Sequence, residues 1–202
     1  DGLHVTVPPY SKTEKVMATL ETFRERLLEQ YRKVEIRPID FSYAIRTACF
    51  RLWLEPSPLK CFTLTQTGEG ICICCPADVD FSCEQVQKLV RAAILRALKK
   101  SAGSYLPPLL EALAERYGFS YRKVKITGAR SRWGSCSAVG TISLSCYLML
   151  LPPHLMDYVL LHELSHTKEM NHGPRFWELL DSLTEGKALS LRAELRNYRT
   201  AF

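Results

Sequence analysis

The stretch "VLLHELSHTKEMNHGPRFW", residues 159–177, holds three of the five histidines of the chain. His162 and His166 are four residues apart, so on a helix their side chains project from the same face, one turn apart. Two imidazoles placed in this way can bind one Zn²⁺ ion, and Glu163 can reach a water on that ion as a general base. The pattern H-E-x-x-H therefore predicts a helix that carries a metal-dependent hydrolytic site.

A hydrolytic zinc site also needs a third protein ligand and an open position for water. His172 is the first candidate, because a turn at residues 171–173 would fold it back toward the other two histidines. Two carboxylates compete with it. Glu169 would point along the same helix, and Glu185 lies beside a glycine at a predicted helix end. Imidazole on a capped turn suits zinc well, so we predict His172 as the third ligand.

The alternative for this segment is an amphipathic core helix that happens to be rich in histidine. Val159, Leu160, Leu161 and Leu164 indicate that much of the helix is buried. Buried polar groups without a partner or a metal would cost about 1–3 kcal/mol each or more. Three histidines with a glutamate between them therefore favour the metal site.

The neighbouring segments predict an α+β fold around this helix. Residues 121–128 and 141–150 alternate as strands, with a loop or hairpin at 131–140 between them. In the second strand, Ser143, Ser145 and Tyr147 form the polar face. The histidine-rich helix is predicted from the prolines at 152–153 to a cap at residues 171–173. A further helix follows at once, with Phe176 and Trp177 seating it behind the metal site.

The first half of the chain predicts a separate α+β region. Residues 2–33 and 70–100 each show a strand, a proline turn and an amphipathic helix, with Ser82 as the N-cap of the second helix. This repetition indicates either a degenerate duplication or two unrelated helices. Strand-like residues lie between them at 41–56 and 60–68. We place the N-terminal region at 1–100 and the catalytic domain at 101–202. The latter opens on a new helix with Pro107 or Pro108 near its start and Gly118 just past its end.

Composition limits the compartment and the partners. A net charge of +6 permits an anionic partner without requiring one. The eight cysteines lie mostly at apolar, strand-like positions, which favours a reducing compartment, the cytoplasm, over a disulfide scaffold. No apolar run approaches the ~20 residues that a membrane span needs. The opening "DGLHVTVPP" reads as the inside of a strand, so we expect residues before Asp1.

Residues 130–178 contain four motifs: the RWGSCS loop, the G-x-I-x-L strand, the D-Y-V-x-x-H-E-L-x-H helix and N-H-x-x-x-F-W. These motifs resemble the YgjP-like metallopeptidase family of metal-dependent hydrolases. The similarity is dense over residues 130–178 and looser in the first half of the chain. The SprT-like and WLM families are more distant relatives. The resemblance implies a zincin-like fold, in which the H-E-x-x-H helix lies next to a small mixed sheet. It further implies His162, His166 and His172 as ligands and Glu163 as the base. Ser145 stands where that family usually has asparagine.

A peptidase of this kind would bind its substrate as an extended strand. The strand at residues 141–147, just before the helix, is the natural one for such pairing. Ser143, Ser145 and Tyr147 would then flank the cleft, and Tyr147 would either donate to the developing oxyanion or be an ordinary strand tyrosine. Arg132, in the signature loop, would either contact an anion near the cleft or fix the loop.

Two rival functions come from other classes. Residues 116–133 hold six basic residues, no acidic residue and four interleaved aromatics, which is compatible with a nucleic-acid surface like that of SprT-like proteases. A solvated strand face explains the same pattern and fits the modest net charge better. The second rival is a non-catalytic binding module with a structural zinc, although such a site needs no carboxylate at Glu163. The sequence does not indicate a substrate or an oligomeric state.

Overall fold

A computed structural model of the chain describes residues 7–33 and 38–200. The chain divides into two units, residues 1–38 and 39–202. In the first unit, helix α1 (Thr13–Lys33) confirms the predicted amphipathic helix. The strand predicted before it lies almost wholly outside the described residues.

The second unit begins with a four-stranded sheet. Its strands are β1 (Ala44–Arg46), β2 (Arg51–Ser57), β3 (Thr63–Gln66) and β4 (Ile71–Pro76), in the spatial order β1-β2-β4-β3. Strands β2 and β4 run parallel, and the other pairs are antiparallel. Alternate side chains of β2 and β4 point into the core, as a half-buried sheet requires: Leu52, Leu54, Ile71, Ile73 and Cys75.

Helix α2 (Glu84–Tyr117) is one continuous helix of 34 residues. The prediction of a separate helix with Pro107 or Pro108 near its start is wrong, since both prolines lie inside α2. A proline inside a helix costs about 3 kcal/mol. The helix nevertheless continues because its buried stripe extends on both sides of the prolines, and each large apolar side chain in it contributes about 1.5–3 kcal/mol. The stripe consists of Val90, Ile94, Ala97, Leu98, Ala102, Leu106, Leu110 and Ala114.

The two ends of α2 differ in how well the sequence predicted them. Gly118 caps the C-terminus in the left-handed conformation at φ 66°, as predicted. At the N-terminus the cap residue is Cys83 rather than Ser82, because the Ser82 hydroxyl donates to Asp80 Oδ1 instead. The division into regions 1–100 and 101–202 stays a prediction, and its boundary falls within α2.

A second, three-stranded sheet positions the histidine-rich helix. It comprises β5 (Lys123–Thr127), β6 (Gly134–Cys136) and β7 (Thr141–Ser145) in the order β5-β7-β6. Strand β7 is central, parallel to β5 and antiparallel to β6. The strand predicted to reach residue 150 ends at Ser145, and a short 3₁₀ helix (Cys146–Leu150) follows. The Ser145 hydroxyl accepts from the Tyr147 N–H at 3.3 Å, which caps this helix and ends the strand.

Three further helices complete the α+β fold. They are α3 (Pro153–Ser165), α4 (Pro174–Leu183) and α5 (Ala188–Leu195). Helix α3 packs on β6, α2, α4 and α5, so it lies next to the small mixed sheet as the zincin-like resemblance implied. None of the described helices is both long and apolar enough to cross a lipid bilayer.

Candidate metal centre

Helix α3 holds the first two histidines rigidly. Its side chains are buried on most sides, including Leu160 and Leu164 at 0% exposure. His162 and His166 lie one turn apart with ring centroids separated by 4.9 Å. The helix ends at Ser165 and not near Asn171 as predicted, and His166 is its C-cap. The Thr167 hydroxyl and N–H both bond the Leu164 carbonyl, which tightens the last turn and starts the reversal of the chain.

The reversal brings His172 back to the other histidines. The Gly173 N–H donates to the Asn171 carbonyl at 2.8 Å, and α4 starts immediately afterwards at Pro174. The Trp177 indole N–H donates to the His172 carbonyl at 3.1 Å and fixes the turn against α4. As a result, His172 Nε2 lies 3.0 Å from His162 Nε2. The donor atoms of His162, His166 and His172 all lie within 4.8 Å of one another.

The three imidazoles fit a divalent metal ion. Two nitrogens bound tetrahedrally to zinc at 2.0–2.1 Å would be about 3.3 Å apart, close to the separation of the His162 and His172 nitrogens. His166 Nδ1 lies 3.1 Å from the Glu169 carbonyl, which leaves Nε2 for a ligand. Such a backbone carbonyl partner is usual for a ligating histidine. Burial, reinforced by the neighbouring histidines and Arg192, lowers the pKa of His162 to about 3, so its imidazole is in the neutral, ligating form.

Phe176 forms the common support of the cluster. Its fully buried ring lies 4.6–4.9 Å, centroid to centroid, from all three imidazoles. Trp177 contacts Phe176 edge-on at 5.4 Å. The prediction that these two aromatics seat the second helix behind the histidines is therefore confirmed.

Glu163 is the buried acid of this site. Its side chain is 5% exposed, and Oε2 is buried without a hydrogen-bond partner among the described residues. Burial raises the pKa of Glu163 to about 8, and the positive charge of Arg132 opposes this rise. A carboxyl group with such a pKa, on the residue that follows the candidate ligand His162, can exchange a proton near neutral pH.

Comparison with known proteins identifies the family of the chain. A model of the YgjP-like metallopeptidase domain matches residues 1–198. The chain belongs to the YgjP-like metallopeptidase family. A solved structure, the metallopeptidase zymogen abylysin of Pyrococcus abyssi, is similar at 26% identity and a TM-score of 0.41, over 45% of this chain and 90% of that chain. No curated protein matches the chain.

Membership in the YgjP-like family makes the chain a metal-dependent hydrolase with protein or peptide substrates, and it implies a divalent metal at the histidine cluster. Neither carboxylate considered as a third ligand belongs to that cluster. The Glu185 side chain is exposed and accepts from Lys187 Nζ at 2.8 Å. The Glu169 backbone carbonyl lies within hydrogen-bond distance of His166 Nδ1, but the Glu169 carboxylate does not belong to the histidine cluster.

The predicted substrate contacts lie in different environments. Ser143 is half-buried and lines a cavity of about 180 Å³ together with Arg132 and Gly134. Ser145 is 1% exposed, and its hydroxyl donates to the Ala129 carbonyl at 2.8 Å. The prediction that Tyr147 lies on the exposed face of a strand is wrong. The two-residue alternation stops where β7 ends, and Tyr147 is fully buried in the 3₁₀ helix.

Gly134 is a site residue that sequence reasoning missed. A β-carbon built on it would lie 2.6 Å from Glu163 Oε1 and 2.7 Å from Cγ, closer than real β-carbons come. Only glycine lets the β6 backbone approach the carboxyl group this closely. The available signal was a glycine at a strand position, which often marks a close backbone approach.

Proposed function

We propose that the chain is a zinc peptidase that hydrolyses peptide bonds with Glu163 as general base. The observation that carries this proposal is the buried Glu163 carboxyl group, with Oε2 unpartnered among the described residues, on the same helix as His162 and His166, whose imidazoles converge with that of His172. Zinc is favoured because an all-histidine ligand set with room for water is typical of catalytic zinc sites.

In the proposed reaction, a side chain of the protein carries out the proton transfers. When bound, zinc would supply the Lewis acidity that lowers the pKa of a bound water to about 7. Glu163 takes the proton of the attacking water at Oε2 and returns it to the leaving amine. The close approach of the Gly134 backbone limits the space open to that carboxyl group, and burial of the group raises its pKa.

The substrate strand is proposed to pair with β6. Pairing with residues 141–147, the prediction from sequence, is wrong, because β7 already has β5 on one side and β6 on the other. Strand β6 is at the edge of the sheet and contacts α3. An extended peptide added to this edge would pass Gly134 and therefore the Glu163 carboxyl group. Ser143 and Arg132, which line the small cavity beside Gly134, stay candidates for substrate contact.

Metal analysis combined with a peptide-library assay tests the proposal. We expect about one zinc per chain in both the wild-type protein and Glu163→Gln, with turnover lost only in the variant. Glu169→Gln is the matched control, because its carboxylate is outside the histidine cluster, and it should retain both zinc and turnover. Protein that purifies without metal in the absence of chelators, or zinc-loaded wild type without any cleavage, would contradict the proposal.

The two rival functions have less support. Of the aromatics interleaved with the basic residues, Phe119 is 8% exposed beneath Lys168, and the Tyr121 hydroxyl donates to a Glu111 carboxylate oxygen. Rings held in this way cannot stack on bases, so a solvated face is the better explanation. A structural zinc in a binding module would leave the burial of Glu163 unexplained, because an isolated buried carboxyl group destabilises the fold.

A cytoplasmic location is also proposed. All eight cysteines are free thiols, including Cys72 and Cys74, whose Sγ atoms lie 3.8 Å apart. Free thiols this close together are compatible with a reducing compartment, where disulfides do not persist.

A further inference from the structure

A cavity of about 440 Å³ lies beside the candidate active site. Its walls come from the loop before β6 and from the segment after α5, and they consist of Arg130, Ser131, Arg132, Trp133, Tyr198, Arg199 and Thr200. Three of these residues are arginines, and none is acidic. The cavity therefore concentrates positive charge between two aromatic side chains.

The arginines are held in place to different degrees. Arg130 Nε donates to the Tyr147 hydroxyl at 3.0 Å, which anchors that guanidinium from the core side. The Thr200 hydroxyl donates to the Arg130 carbonyl and fixes the chain segment that carries Arg199. Within residues 7–33 and 38–200, neither Arg132 nor Arg199 forms an ion pair with a carboxylate. These two exposed arginines thus line the cavity without a carboxylate ion-pair partner among the described residues.

Arg132 relates this cavity to the candidate catalytic centre. The same residue lines the smaller cavity that contains Gly134, the glycine in contact with Glu163. Arg132 is two residues from Gly134, and two residues of extended chain span at most about 7 Å. If a peptide pairs with β6, one of its side chains would therefore reach the arginines. That side chain would belong to a residue within about three positions of the cleaved bond.

We propose that Arg132 and Arg199 bind a carboxylate of the peptide substrate, within three residues of the cleaved bond. This inference rests on the proposed peptidase function and assigns that function a preference for acidic substrates. A guanidinium presents a planar pair of N–H donors that matches the two oxygens of a carboxylate, so a bidentate contact is available to each arginine. Trp133 and Tyr198 supply apolar walls for the methylene groups of a glutamate.

Matched peptides test the carboxylate site. The zinc-loaded wild-type protein is given peptides in which each of the three positions on either side of the cleaved bond holds either glutamate or glutamine. We expect kcat/KM to favour glutamate about tenfold at one of these positions, since a charge-assisted hydrogen bond contributes about that factor. Peptides with free and amidated C-termini distinguish a side-chain carboxylate from a terminal one.

Variants of the arginines locate the contact. Arg199→Ala and Arg132→Ala should each reduce the glutamate-to-glutamine ratio severalfold, whereas Arg199→Lys, which keeps the charge without the planar fork, should reduce it less. Arg196→Ala is the control, because Arg196 is exposed on the same segment but does not line the cavity, and it should retain the ratio. Raising the salt concentration should shrink the preference of the wild type.

The results that would overturn the carboxylate site differ from those that would overturn the peptidase function. Cleavage with a ratio near one at all six positions, or a ratio unchanged in both alanine variants, would overturn the carboxylate site and leave the peptidase intact. If no peptide is cleaved, binding of the glutamate and glutamine peptides to the Glu163→Gln protein is compared by tryptophan fluorescence. Tighter binding of the glutamate peptide, lost in Arg199→Ala, supports the site without turnover, and equal binding overturns it.

Discussion

The backbone of Gly134 and the carboxyl group of Glu163 are packed so closely that no β-carbon fits between them. An added Cβ would approach Glu163 Oε1 to 2.6 Å. The edge strand β6 and helix α3 thus make their close contact at Glu163, the residue proposed to move the proton. This contact joins the proposed substrate-binding strand to the proposed base.

Replacing Gly134 by alanine should displace the Glu163 carboxyl group. A misplacement of about 1 Å in catalytic geometry can cost 100-fold in rate, so we expect kcat of Gly134→Ala to fall about 100-fold while the zinc content stays unchanged. Gly103→Ala is the control, since nothing lies within 4 Å of a β-carbon there. That substitution in helix α2 should keep activity and raise stability by about 0.5–1 kcal/mol. Equal activity of the two variants would contradict the steric role of Gly134.

Removing His172 should abolish tight metal binding. Loss of residues that merely support a ligand usually lowers metal affinity about 10–100-fold, so loss of the ligand in His172→Ala should exceed that range. Glu185→Ala should retain the metal, because the Glu185 carboxylate is paired with Lys187. Competition with a chelator of known affinity measures both. Metal loss in Glu185→Ala with retention in His172→Ala would reverse the assignment of the third ligand.

The stability of the metal-free protein should decrease as the pH rises from mildly acidic to alkaline values, because Glu163 is buried. Its pKa is about 8 in the folded chain against an ordinary value of 4.5. Its contribution to the free energy of unfolding is therefore fully present below pH 4.5 and is lost as the pH rises through 8, where the buried carboxyl group must ionise. Since a tenfold change in an ionisation constant corresponds to about 1.4 kcal/mol, Glu163→Gln should gain several kcal/mol over the wild type by pH 8.5.

Urea unfolding in the presence of a chelator, at pH 5 and pH 8.5, measures this difference. His162 titrates in both proteins, so its contribution cancels in the comparison. Glu185→Gln is the control, because the Glu185 carboxyl group is exposed and should give no comparable change with pH. A stability difference between wild type and Glu163→Gln that does not grow with pH would show that Glu163 is not buried as described.

Mutation of Ser145 and mutation of Ser143 should change the free energy of unfolding by different amounts, although the sequence placed both residues on one face of a strand. The Ser145 hydroxyl donates to the Ala129 carbonyl and accepts from the Tyr147 N–H, so Ser145→Ala should lower the free energy of unfolding by about 1–2 kcal/mol. Ser143 is half-buried, and the structure gives its hydroxyl no hydrogen bond with a described residue, so Ser143→Ala should stay within about 0.5 kcal/mol of wild type. Chemical denaturation checks both, and equal effects would contradict the capping role of Ser145.

Much of the candidate site could be predicted because it depends on local geometry. The spacing of His162, Glu163 and His166 places two ligands and a base on adjacent faces of any helix, whatever surrounds it. The proline at 174 and the turn before it likewise predicted the start of α4 and the return of His172. The α+β class followed from segments whose apolar residues alternate with periods of two or near four.

What the sequence did not determine depends on partners far along the chain. The continuity of α2 through Pro107 and Pro108 was decided by apolar surfaces that bury its stripe on both sides of the prolines. Strand β6 is the free edge, and Tyr147 is buried, because β7 pairs on both sides and ends at Ser145.

The sequence by itself thus determined the chemistry of the site, and the tertiary structure decided how that site is held and approached. The i, i+4 geometry of a helix is fixed by its own backbone hydrogen bonds, so the His162–His166 pair needs no distant residue. The contact of Gly134 with Glu163 and the arginine-lined cavity join segments that are remote in sequence. Such contacts depend on close packing between elements, which no local pattern of residues encodes.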